Sequence, residues 1–99
     1  MEFPGITVGG GFAGPSGESS SFKYGFFGNI LESIEVVLGK GDIVTASGTK
    51  LPDLLEASCG SLGTLDIITL LHIQLTEAKE FVQLDCYPGF HVPKAIEKI

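Results

Sequence analysis

The chain has 99 residues, with twelve carboxylates against six lysines, no arginine and a net charge of −6. That balance repels a phosphate backbone and supplies no guanidinium for bidentate phosphate or guanine contacts, which argues against nucleic acid as a partner. A hydrophobic fraction of 43% fits one small folded domain with a modest core, and the longest apolar run, residues 67–73, is broken by Thr69 and His72 and is too short to span a bilayer.

Residues 6–10 (ITVGG) read as a short strand that begins almost at the first residue, as if the chain were cut in mid-strand. Residues 11–21 (GFAGPSGESSS) are expected as loop and tight turns, because Gly is entropically costly in a helix interior and Pro lacks a donor. Residues 21–27 (SFKYGFF) predict a brief helical turn that packs Phe22, Phe26, Phe27 and Tyr24 into the core, with Ser19 or Ser20 as N-cap. Residues 34–38 and 43–46 are β-branched runs joined by Gly39, Lys40, Gly41 and Asp42, a hairpin signal. Pro52 and Asp53 open a short helix over residues 52–57, and residues 60–64 (GSLGT) break it. Over residues 67–75, Ile67, Thr69, Leu71, Ile73 and Leu75 alternate with Ile68, Leu70, His72 and Gln74, which predicts a strand with a uniform two-residue period. Residues 81–86 suggest a last strand, 87–92 a turn, and 93–99 the opening of a helix. The sum is an α+β fold, a small and mainly antiparallel sheet with short helices.

Gly9, Gly11 and Gly14 satisfy G-x-G-x-x-G, but the dinucleotide fingerprint needs a helix after the last glycine and an acid about twenty residues on, at the end of the next strand. Pro15, Ser16 and Gly17 cannot open that helix, and Glu32 and Glu35 come too early. The better reading joins two Gly/Ser-rich segments, residues 9–20 and 60–64, whose backbone N–H groups suit a phosphate and whose missing side chains let a flat ring approach; plain structural turns are the alternative. His72 lies within a strand and His91 in a turn, so neither supports a Ser/His or Cys/His dyad, and no catalytic residue is assigned. Asp53 and Glu56 read as a solvated acidic face, Lys23 as a surface lysine with an anion as the other candidate neighbour. Cys59 and Cys86 have no companion at metal-ligand spacing and read as two reduced thiols. No signal peptide is visible at the N-terminus, so a cytoplasmic setting is the default.

The residues also resemble a known family. The run PGITVGGGFAGPSGESSSFKYGFF, followed by IEVVLGKGDIVTAS, PDLL and GSLGTLDIIT, is similar to the second half of the FAD-binding domain of the vanillyl-alcohol-oxidase type, the PCMH-type domain. The segments SSSFKYG and AKEFV most resemble its Δ24-sterol reductase branch. The resemblance implies FAD as cofactor, held between two α+β subdomains, and a flavin-dependent reduction of a sterol side-chain double bond with NADPH. It implies that Gly9, Gly10, Gly11, Gly17, Ser19 and Ser20 offer backbone and hydroxyl donors to the cofactor, that Gly25 closes that segment, and that the backbone of Gly63, Ile67 and Ile68 lies near it. Residues 1–85 would then be the C-terminal subdomain and 86–99 the start of the following segment, with the other half of the FAD cleft before residue 1 and a substrate domain after residue 99. A truncated, non-enzymatic remnant that does not hold FAD alone is the alternative. Two positions depart from the family pattern: Leu55 and Glu56 follow PDL where aromatic residues are usual, and Asp66 stands where glycine is usual, placing a carboxylate near a dianionic cofactor.

Overall fold

The computed structural model describes residues 4–97. A three-stranded antiparallel sheet organises them, with β1 (Leu31–Leu38) in the centre, β2 (Ile43–Ser47) on one side and β3 (Asp66–Ile73) on the other. Helices α1 (Val8–Ala13), α2 (Ser21–Tyr24) and α3 (Pro52–Ser58), a 3₁₀ turn over Phe27–Ile30 and a last short helix, α4 (Val92–Ile96), complete the α+β architecture.

The predicted hairpin forms with Val37 opposite Ile43 and Ile34 opposite Ala46. Its turn closes through Leu38 N–H to Asp42 C=O at 2.9 Å, and Gly41 takes a φ of 90° that only glycine adopts without strain. The predicted helix at Pro52 also forms, with Pro52 in its first turn and Asp53 beside the positive end of the helix dipole.

The first predicted strand is instead helix α1, three of whose six residues are glycine. Thr7 makes this possible: its Oγ1 accepts from Gly10 N–H at 3.0 Å and its carbonyl from Gly11 N–H at 2.9 Å. Each helical glycine costs up to about 1 kcal/mol relative to alanine. Burying Phe12 completely returns about 2–3 kcal/mol, so the anchor offsets the propensity.

Among the described residues the buried hydrophobic core is Phe12, Ile34, Val36 and Ala46, with Phe27, Leu54, Leu55, Ile68 and Leu71 packed against it. The aromatic stretch therefore differs from its predicted role. Phe27 reaches the core, but Phe22 is 86% and Phe26 61% exposed, and Tyr24 is exposed too; α2 is a single turn with no buried residue. Ser20 stands at the N-cap of α2 without a side-chain capping bond.

β3 forms as a strand but does not keep a uniform alternation. Glu35 pairs with Leu70 and Val36 with Ile68, so Thr69 is an extra residue, a β-bulge. Its hydroxyl lies 2.8 Å from Glu35 Oε1 and 3.1 Å from the Glu35 carbonyl oxygen. The bulge brings Ile68 and Leu71, three residues apart, to the same core face, while Ile67 falls on the outer face opposite Val37 and is 68% exposed.

Among the described residues no strand forms over 81–86. A strand needs a paired edge, and Phe81, Val82 and Leu84 lie exposed without one. The predicted last helix forms as α4; residues 98 and 99 fall outside the described residues. The chain exposes 7885 Å², where a compact globule of its mass exposes roughly 5,400 Å². The excess comes from the extended residues 75–91 and from the outer sheet face, which presents Ile43, Ile67 and Leu70.

Because the buried core is this small, Phe12→Ala is expected to destabilise the chain by about 3–5 kcal/mol. Urea unfolding should show it, with Ile96→Ala, an exposed position, leaving the midpoint in place.

Candidate cofactor-binding surface

Two glycine segments separated by about fifty residues in sequence meet in space. Gly60 N–H donates to the Phe12 carbonyl and Leu62 N–H to the Ala13 carbonyl, each at 3.1 Å. The carbonyls at the C-terminal end of a helix lack intrahelical donors, and here the turn over residues 60–64 supplies two.

That turn is tightly wound. Thr64 N–H donates to the Ser61 carbonyl at 3.0 Å, and Thr64 Oγ1 to the same oxygen at 2.7 Å. Gly60, Leu62 and Gly63 all have positive φ, 75°, 54° and 72°. Leu62 is the costly one, since a left-handed non-glycine residue is held at about 1 kcal/mol or more, and its side chain is 76% exposed. Gly60 packs against the Pro15 ring, where an added Cβ would lie 3.1 Å away.

Gly9 and Gly10 are exposed at the start of α1, whereas Gly11 is buried beside Phe12. A Cβ on Gly9 or on Gly63 would meet nothing within 4 Å. At Gly63 the backbone itself requires glycine; at Gly9, an ordinary helical position, nothing within the chain does. Gly17 lies under the Phe26 ring, with its would-be Cβ 2.9 Å from Phe26 Cε1. Gly25, with φ of 77°, ends α2 and donates its N–H to the Ser21 carbonyl at 2.9 Å.

Ser19 and Ser20 are exposed in the turn before α2. Ser20 and Gly25 border a groove of about 460 Å³ between α2 and the end of β3, whose walls include Ser16, Glu18, Tyr24, Phe27 and Ile73. The expected site residues are thus divided: residues 9–11 lie on α1, whose far end meets the turn that carries Gly63 through Phe12 and Ala13, and Ser20 and Gly25 border the groove, with Ser19 in the turn just before α2. Loop residue Ser16 ties them, taking the Gly11 carbonyl with its N–H and giving its own carbonyl to Phe27 N–H, both at 3.1 Å. Ile67 presents its side chain outward, while Ile68 turns its side chain to the core and offers only backbone to a ligand.

The carboxylate of Asp66 is buried and accepts a hydrogen bond from Ser58 Oγ. It therefore points to α3 rather than to the glycine surface. Lys23 sits over the Tyr24 ring, 5.0 Å from its centroid, a surface cation–π contact. His72 is exposed on β3 opposite Ser33, and His91 precedes α4. Asp53 and Glu56 are exposed, as expected of a solvated face. Among the described residues no three His, Cys, Asp or Glu side chains converge on a metal-sized site, and no helix is long and apolar enough to cross a membrane.

With this geometry in place, the comparisons with known proteins bear on it directly. Over 87 residues, 88% of this chain, it is 38% identical to Delta(24)-sterol reductase of Homo sapiens. The corresponding figures are 36% over 88 residues for Delta(24)-sterol reductase of Arabidopsis thaliana, and 40% over 79 residues for Cytokinin dehydrogenase 3 of Oryza sativa subsp. japonica. The chain is homologous to a segment of these oxidoreductases. It spans only 15–17% of the length of these relatives. No family-wide sequence profile matches the chain.

Phe12, Ser58 and Leu62 carry this surface without any sequence signal of their own. Phe12 is one aromatic residue inside a glycine run, and the other two gain their roles from tertiary hydrogen bonds and backbone conformation.

Burial raises the Cys59 thiol above its ordinary value, an effect partly countered by its hydrogen bond with the Gly28 backbone. At pH 8 its thiolate fraction is thereby reduced, whereas Cys86 is exposed. Iodoacetamide should label Cys86 several-fold faster than Cys59 in the folded chain. Peptide mass spectrometry reads the two rates, and the gap should close in urea.

Proposed function

We propose that this chain is the FAD-binding portion of a flavin-dependent oxidoreductase that reduces a sterol side-chain double bond with NADPH. The observation that carries the reading is the 38% identity to a Delta(24)-sterol reductase over 88% of the chain. In this reading residues 1–85 are the second subdomain of a PCMH-type FAD-binding domain and residues 86–99 begin the segment after it.

The surface fits such a cofactor on three counts. Gly9 is a glycine that the chain's own packing does not require, as a closely approaching ligand would demand. The Asp66 carboxylate, which would repel a diphosphate, is taken up by Ser58. Ile67 offers an exposed apolar side chain next to the turn that carries Gly63.

When bound, FAD supplies hydride transfer between a nicotinamide and the substrate. In this reading the exposed backbone of Gly9 and the hydroxyls of Ser19 and Ser20 would hold polar groups, whereas the N–H groups of Gly10 and Gly11 are already given to Thr7, Gly63 donates to Ser61 Oγ, Gly17 lies against Phe26 and Gly25 ends α2. Ile67 packs against the apolar part and sheds water from it, and the Ile68 backbone lies alongside. None of these residues serves as an acid or base for the reaction.

A second reading, a non-enzymatic remnant that does not hold FAD alone, draws on the small buried core and the 7885 Å² of exposed surface. Flavin titration decides between the two. An absorbance band that persists with the protein through gel filtration supports the proposal, and colourless protein that takes up no added FAD overturns binding by this chain.

A single substitution sharpens the test. Gly9→Ala should raise thermal stability by up to about 1 kcal/mol, because it removes a helical glycine without a clash. The same variant should lower FAD affinity by about tenfold, equivalent to about 1.4 kcal/mol. Calorimetry and flavin fluorescence quenching measure the two opposed effects.

A further inference from the structure

We propose that Ser58 and Asp66 are positioning residues, a buried latch that holds the turn over residues 60–64 in its left-handed conformation against α1. Ser58 is fully buried and Asp66 6% exposed. Ser58 Oγ lies 2.5 Å from Asp66 Oδ2 and 2.7 Å from the Leu54 carbonyl oxygen. The two residues bracket the turn, one ending α3 and the other starting β3.

The strained residues of the turn lie between them. Gly60, Leu62 and Gly63 have positive φ, and the exposed Leu62 side chain finds no burial to compensate its backbone. Two hydrogen bonds, from Gly60 and Leu62 to the α1 carbonyls, fix the tip. The Ser58–Asp66 contact fixes the base, so the turn is held at both ends.

The latch is an expensive way to fill space. Asp66 Oδ1 is buried and has no hydrogen-bond partner among the described residues, and a buried acceptor left unpaired is unfavourable. An apolar residue at the start of β3 would pack there without that penalty. What valine cannot do is bond directionally to Ser58, and that bond sets the separation of the α3 and β3 ends from which the turn springs.

What the turn does for a ligand rests on the FAD reading above; the latch itself does not. The test therefore has two arms on the full chain. The first measures amide hydrogen exchange in Asp66→Val, Asp66→Asn and Ser58→Ala. Asp66→Val should keep or raise the urea midpoint, yet speed exchange at Gly60 and Leu62 by about tenfold relative to Val36 and Val44. Asp66→Asn, which keeps a hydrogen-bonding group towards Ser58, should restore protection at those two amides. Exchange at Gly60 and Leu62 that merely tracks Val36 and Val44 in Asp66→Val overturns the latch, as does Asp66→Asn behaving like Asp66→Val. If Ser58→Ala does not fold, the two Asp66 variants still decide.

The second arm measures FAD affinity in the same proteins. Weaker binding in Asp66→Val with recovery in Asp66→Asn supports the turn as a cofactor wall. Wild-type protein that binds no FAD overturns the FAD reading while leaving the exchange result to judge the latch.

Discussion

Phe12 joins the parts of this chain twice. Its side chain is fully buried against β1, and its carbonyl accepts the Gly60 N–H at 3.1 Å. A six-residue helix with three successive glycines has no intrinsic stability in water. It persists because Thr7 caps one end, Phe12 anchors it on the sheet, and the turn over residues 60–64 occupies the carbonyls at the other end. The glycine-rich surface follows from this: only a helix held from outside can leave Gly9 and Gly10 bare.

The second constraint is the bulge at Thr69. Without it, Ile68 and Leu71 would face opposite sides of the sheet. With it, both add to a core that has four fully buried hydrophobic residues among the described residues, and Ile67 goes to the other side. The outer face consequently carries Ile43, Val37 and Ile67 in one row across the three strands. That row is the apolar face which the three strands leave exposed among the described residues, with Ile43 and Ile67 more than half exposed.

Local signals in the sequence led to the correct elements where local forces dominate. The hairpin was legible because its β-branched runs and Gly41 act within a dozen residues, and α3 because Pro52 and Asp53 mark a helix start. α1 was not, since propensity alone places Ile6, Thr7 and Val8 in a strand and cannot register what burying Phe12 returns. The facing of β3 was lost to one extra residue that a two-residue period cannot see, and residues 81–86 have strand chemistry without an edge to pair with. At the candidate site, composition marks both glycine segments, but nothing local in either says that Gly60 and Leu62 donate to Phe12 and Ala13. Asp66 shows the same limit: its charge was evident, whereas its direction, toward Ser58, depends on how α3 packs.

That direction also bears on how an acidic chain could take the anionic cofactor proposed for it. A net charge of −6 disfavours any anion at long range, but at physiological salt such fields fade over about 8 Å, so the groups lining the surface decide. Around α1 and the turn those groups are glycine backbone, Ser61, Thr64 and apolar side chains, and the one carboxylate built into the turn's base is withdrawn into the interior. Lys23, the basic residue of α2, is engaged with Tyr24 and supplies no compensating attraction at the turn. The N–H groups of Gly60, Ser61, Leu62, Gly63 and Thr64 are all given to acceptors within the chain, so in the proposed reading a diphosphate would be met by the exposed Gly9 backbone and by hydroxyls rather than by charge, and that demands a fixed backbone. A turn held at its base by Ser58 and Asp66 and at its tip by α1 provides that fixity, and the strain at Leu62 is the local consequence of holding it.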